Sequence, residues 1–190
     1  MISRTILAAF SLASAGLSCT AAEGSFVIYG QHANWLNAVP GPTVSRTAQD
    51  SFTGLGQPVD PEVWADVGVH LVSSGPLLQE YFTAAGAAFF SGIGQTFEVR
   101  WDTPITALWY RAQSPTGSVW FFAGSTFLGG VGDGNLGVTS TIAFDRLVIS
   151  GSVANDYGFL LNLEWNAVPS PGALSALCLA PLLGGRRRRG

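Results

Sequence analysis

The sequence predicts an all-β protein: an antiparallel, jelly-roll-like β-sandwich with one short helix, flanked by an N-terminal signal and a C-terminal hydrophobic tail helix. Three observations predict it. The 190 residues hold 24 Gly, 12% aromatics, one Met and no Lys, a composition of strands and turns rather than helices. Short β-branched or aromatic runs are closed by turn residues about every 8–12 positions. The two ends differ from the middle: each is an apolar stretch with arginine and no acidic residue. They divide the chain into residues 1–22, a domain of residues 23–167, and a tail of residues 168–190.

Residues 1–22 carry Arg4, then a mostly apolar stretch from Ile6 to Leu17, then the small residues Thr20, Ala21 and Ala22 before Glu23. A positive start, a short apolar run and a small-residue cleavage site make a secretory signal peptide. The competing readings are a buried first helix, or a lipid-modified Cys19. The latter would want Leu three positions before the cysteine, where Gly16 stands.

In the domain, SFVIYG (Ser25–Gly30) reads as a strand, and Ala33–Val39, with Trp35, as a short helical stretch stopped by Pro40. Gln49–Leu55 reads as an acidic-aromatic strand. His70 falls in an apolar strand, and Gly75–Gly92 reads either as a helix or as two strands around Gly86. Gln95–Trp101 alternates, with Phe97, Val99 and Trp101 on one face and Thr96, Glu98 and Arg100 on the other, the period of a half-buried strand. Asp102–Pro104 then reads as a turn before a second strand, Ile105–Gln113. SVWFFAG, STFLGG, GVTSTIAF, DRLVISGS and YGFLLNLEW continue the strand pattern to Trp165.

The charges bound the function. Between Glu23 and Glu164 four arginines face all twelve acids, a net charge of −8. Such a domain repels phosphate backbones, which excludes nucleic acid as a partner. Neutral glycans and cations remain open to it. The two cysteines, Cys19 and Cys178, lie in the end segments, so the domain has no disulfide to hold it and relies on burial.

Residues able to do chemistry are sparse. His32 and His70 are the two histidines, and neither sits in a metal or nucleophile motif. Asp50, Glu62, Asp66, Glu80 and Glu98 are acids whose spacing defines no catalytic pair. The expectation is therefore a non-enzyme without a firm cofactor or metal. Asp133, Asn135 and Asp156 are candidate calcium ligands, because oxygen-rich turns suit that cation. The same residues are ordinary turn formers. Most of the six tryptophans read as core; Trp64, flanked by the charged Glu62 and Asp66, is the candidate exposed indole for glycan contact.

The tail begins Val168-Pro169-Ser170-Pro171. It continues through 14 mostly apolar residues, Gly172–Gly185, and closes on Arg186, Arg187, Arg188 and Arg189. A permanent helical span needs about 20 apolar residues, and Pro181 would interrupt this one. A transient stay in the bilayer is within its length, with the arginines held on the cytoplasmic side. A degenerate single-pass anchor is the competing reading.

Proline motif, apolar segment and arginine cluster, in that order at the C-terminus, resemble the PEP-CTERM sorting signal, with Pro-Ser-Pro in place of Pro-Glu-Pro. The resemblance covers about the last 23 residues. It implies export through the secretion translocon in a Gram-negative-type bacterium that often builds exopolysaccharide. It also implies transient inner-membrane anchoring and handling by an exosortase-type sorting enzyme. The domain in turn is similar to the β-sandwiches that precede such tails. The likeness rests on the helix with Trp35, Gln49–Leu55, the strand–proline–strand stretch Gly94–Ala112 and Ile142–Gly151. At the end Leu160-Leu161-Asn162-Leu163 stands where Ile-Asp-Asn-Leu is usual. The function expected is that of a non-catalytic protein of the cell envelope or extracellular matrix. The alternatives are a carbohydrate-binding module for exopolysaccharide and, further off, a glycan hydrolase.

Overall fold

The computed structural model describes residues 26–39, 41–81, 86–114, 116–150 and 157–166. The predicted signal peptide, the tail with Val168–Pro171 and Arg186–Arg189, and Asp156 lie outside the described residues. Among the described residues no helix is long and apolar enough to cross a membrane.

The elements run β1 (Phe26–Tyr29), α1 (His32–Ala38), β2 (Thr43–Thr47), β3 (Val69–Ser73), β4 (Leu77–Tyr81), β5 (Ala87–Ser91), β6 (Phe97–Gln113), β7 (Ser118–Ala123), β8 (Thr126–Gly132), β9 (Gly134–Ser150) and β10 (Gly158–Asn166). The strand order is β4-β5-β10-β6-β9-β7-β8, with β1 on β9, β2 on β10 and β3 on β6. The named strand pairs are antiparallel. The predicted all-β sandwich with one short helix is thus present.

Two strands build both layers. β6 and β9 are each 17 residues long. The first part of β6 pairs with β3 and with the last part of β9, as Leu71↔Val99↔Leu147. Its second part pairs with β10 and with the first part of β9, as Trp165↔Leu108↔Val138. Between them the ladder breaks, at Arg100/Ile105 and again at Ile105/Ala107. Strands that bend at such breaks pass from one sheet to the other and form the corner of a sandwich.

Asp102–Pro104 sits at that break. The predicted turn is therefore a bend inside one strand, and Ile105–Gln113 continues β6 rather than starting a new strand. Pro104 has no N–H to give to a ladder, so it falls where the ladder is open. On β9 the facing irregularity is built by Ser140, whose Oγ accepts from Ile142 N at 3.1 Å and donates to Ile142 O at 2.7 Å. GVTSTIAF and the following DRLVIS, to Ser150, are one strand for the same reason.

Two other stretches differ from expectation. Gln49–Leu55 is not a strand: Ala48–Ser51 forms a 3-10 turn capped by Thr47, whose Oγ1 accepts from Asp50 N at 3.2 Å. Beyond it the Gln79 side-chain oxygen takes the N–H groups of Thr53 and Gly54 at 2.6 and 3.3 Å, replacing a ladder. Gly75–Gly92 resolves to two strands, β4 and β5, in register Gln79↔Phe89, with Gly86 at φ +96°.

The core lies between the layers. Phe121 of β7 meets Phe26 of β1, Tyr110 in the second part of β6 and Phe144 at the β9 bend, with ring centroids at 5.0, 6.2 and 5.0 Å. Trp101 meets Phe144 and Trp165. Each fully buried large ring contributes about 1.5–3 kcal/mol. α1 lies outside this core, on the outer face of the second layer, where Trp35 packs on Ala107 and Trp109. Seven residues are too few for a stable isolated helix, so this docking sustains α1.

Candidate functional site

β7 is apolar on both faces. Val119 and Phe121 point into the core, so Trp120 and Phe122 point outward. The register with β8 sets Trp120 opposite Gly130 and Phe122 opposite Phe127. Gly130 has no side chain, and the indole occupies the space left. A Cβ there would lie 3.0 Å from Trp120 Cδ1 and 3.4 Å from Nε1. Beside it the Phe122 and Phe127 rings approach to 5.4 Å, and Phe127 is 54% exposed.

The flank of this platform is charged. The Arg146 guanidinium stands 4.2 Å over the Phe122 ring. It also lies 3.7 Å from Glu98, which is bound through Nε and Nη2 of Arg100 at 3.0 and 2.7 Å. The cation–π contact and the ion pairs hold Phe122 against the sheet. The outer face of the first layer thus shows three neighbouring aromatic side chains bordered by fixed polar groups. The electron-rich face of such rings attracts the C–H groups of a pyranose, and the polar border suits its hydroxyls. Exposed apolar patches with polar rims mark interaction sites.

The residues picked out from sequence fare differently. Trp64 is 1% exposed and packs on Phe89, with centroids at 5.1 Å, so the expected exposed indole is corrected to a core residue. The reason is local geometry. Trp64 sits in a turn leading into the 3-10 segment Ala65–Val67, where neighbours two positions away do not share a face. Asp66 turns out to Arg46 and Glu62 to His70, while the indole between them turns in. Its Nε1 has no hydrogen-bond partner.

Asp133 and Asn135 are brought together at the turn between β8 and β9. Their oxygens serve the protein itself: Asp133 Oδ2 accepts from Ser114 N and Asn135 Oδ1 from Trp109 Nε1, both at 2.9 Å. Arg111 lines the same depression, and its positive charge opposes a cation there. Among the described residues no three His, Cys, Asp or Glu converge as metal ligands. The turn-forming reading accounts for this pair; Asp156, the third candidate, lies outside the described residues.

His70 is held from both sides, Nδ1 at 2.6 Å from Glu62 and Nε2 at 3.0 Å from Asp102. The hydrogen bond to Glu62 is the main cause that raises its pKa above 6.5, with Asp102 adding and burial opposing. The ring stands between the two carboxylates, and the group ties the turn before β3 to the corner of β6. His32 opens α1 and lies 2.8 Å from Glu164. Of the other candidate acids, Asp66 and Glu98 are paired with arginine.

Trp120 was not singled out from sequence. Its signal was present in SVWFF, where both parities are apolar, together with Gly129-Gly130 on the returning strand.

No protein-family model matches the chain, and a search of curated proteins finds no match. Among solved structures the chain is similar to one titled "Carbohydrate binding module family29", at 10% identity and a TM-score of 0.37, over 65% of this chain and 88% of that chain. A likeness of that size is too slight to carry over a ligand.

Proposed function

We propose that this chain is an exported, non-catalytic envelope or matrix protein whose sandwich binds polysaccharide through the Trp120–Phe122–Phe127 platform. The observation that carries the reading is the half-buried indole seated over Gly130 beside the exposed Phe127. The signal-like residues 1–22 and the sorting-like tail 168–190 supply the address: translocation, a transient membrane stay, then handling by an exosortase-type enzyme. Two experiments test the two halves. In affinity electrophoresis, neutral glucans or the producing cell's own polysaccharide should retard the protein, and Trp120→Ala should weaken retardation about tenfold or more, or 1.4 kcal/mol. Unchanged mobility of the wild type in all of them sinks the ligand. For the address, intact mass by cell fraction should show a species from near Glu23 to near Pro171 in the envelope or medium. A species keeping Arg186–Arg189 in the inner membrane would show an anchor instead.

A further inference from the structure

Along the outer face of the second layer, β6 presents Ala107, Trp109, Arg111 and Gln113 in alternation. Trp35 and its helix cover the first two, and Arg111 and Gln113 are exposed. Two depressions, of about 330 and 230 Å³, meet there and share Arg111 and Leu161. Gln113, Asp133 and Asn135 line one; Thr47 and Asn162 line the other. Together they form one trough across β10, with an arginine at its middle and amides, a hydroxyl and a carboxylate around it.

Two features set this trough apart from ordinary surface. The first is the state of Arg111. Arg46 is paired with Asp66, and Arg100 and Arg146 share Glu98. Among the described residues, Arg111 is the arginine with no carboxylate in ion-pair range, although acids outnumber arginines three to one in this domain. The second is the floor. The β10–β6 register slips between Leu160 and Asn162, so Leu161 is the extra residue of a bulge. Bulges re-aim side chains and gather beside functional sites. Here the bulge puts Leu161, 6% exposed, under both halves of the trough.

We infer that this trough takes a carboxylate-bearing sugar, a uronate residue within a polysaccharide chain, with Arg111 as the carboxylate's partner. A guanidinium fork matches a carboxylate through two parallel N–H···O bonds. Gln113, Asn162 and Thr47 offer donors and acceptors to ring hydroxyls, and Asp133, whose Oδ2 is held by Ser114 N, accepts from one through Oδ1. The domain's charge of −8 opposes an anionic polymer in general. At physiological salt that field is screened beyond about 8 Å, so the local cation decides. This inference extends the polysaccharide reading to a second face, and its ligand class differs from that of the platform.

The test compares three probes on the exported protein: a polyuronate, the same polymer after reduction of its carboxyls to alcohols, and poly-glutamate. The polyuronate should retard the wild type. Arg111→Gln should weaken that retardation at least tenfold, with Arg111→Lys intermediate because it keeps the charge and loses the fork. Trp120→Ala should leave a polyuronate response that Arg111→Gln removes. Equal binding of the reduced polymer, equal binding of poly-glutamate, or an Arg111→Gln protein that binds polyuronate like wild type would each overturn the inference. Retardation by neutral glucan that depends on Trp120 but not on Arg111 would leave the platform standing and reject the trough. Circular dichroism of each variant confirms that the sandwich is intact.

Discussion

The indole of Trp35 donates a 3.1 Å hydrogen bond to the carbonyl of Val138, across 103 positions of chain. That contact pins α1 to β9, and Gly137 makes it reachable. A Cβ on Gly137 would stand 2.5 Å from Trp109 Cε3 and 2.6 Å from Trp35 Cδ1, closer than real side chains come. Both rings are buried, so neither can swing away cheaply. Gly137→Ala should cost about 1–3 kcal/mol as overpacking, although alanine suits a strand better than glycine does. Urea unfolding measures it. An unchanged midpoint would mean that α1 is not seated on the sheet in this way.

His70 gives the fold a pH dependence. Its pKa is raised above 6.5, chiefly by the hydrogen bond to Glu62. The protonated ring is the form that both carboxylates favour. Its contribution is therefore whole below about pH 6.5 and is lost as pH rises through the higher folded value. Thermal unfolding followed between about pH 6 and 9 should show wild type losing stability relative to His70→Gln as pH rises. Parallel curves for the two proteins would rule out the clamp. Glu62→Gln should remove most of the same slope, because it deletes the larger cause.

Trp64 is a core residue, and two substitutions separate its roles. Trp64→Ala should cost about 3–5 kcal/mol through the cavity it leaves. Trp64→Phe should cost less, because it also removes an indole N–H that has no partner. Neither should change polysaccharide affinity in protein that remains folded. Loss of retardation in folded Trp64→Phe would return this indole to the binding surface.

Gly130 sets the pose of Trp120. Its backbone is ordinary strand, so a β-branched residue is tolerated there, but the new Cβ meets the indole at 3.0 Å. Gly130→Thr should leave stability within about 0.5 kcal/mol, the usual range for a surface change. It should weaken retardation by neutral glucan, since the ring can no longer lie where it does. Unaltered retardation would show that the platform's ring geometry is irrelevant to binding.

The sequence by itself determined the class of the fold, most strand positions and the face of the clearest strand. Phe97, Val99 and Trp101 are buried and Arg100 is exposed, as their alternation predicts. Period-two burial is a local property, written into neighbouring residues. α1 was equally legible, because Pro40 limits its length. The tertiary structure alone decided three matters. It turned Asp102–Pro104 from a chain reversal into the bend of a strand shared by two sheets, because the partners on either side lie far away in sequence. It buried Trp64 and left Trp120 half-open, because the first has Phe89 to cover it, while the second, beside Val148 on β9, faces only a glycine on β8. And it left Arg111 without a carboxylate, which no count of charges reveals, because pairing depends on which strands the register brings side by side.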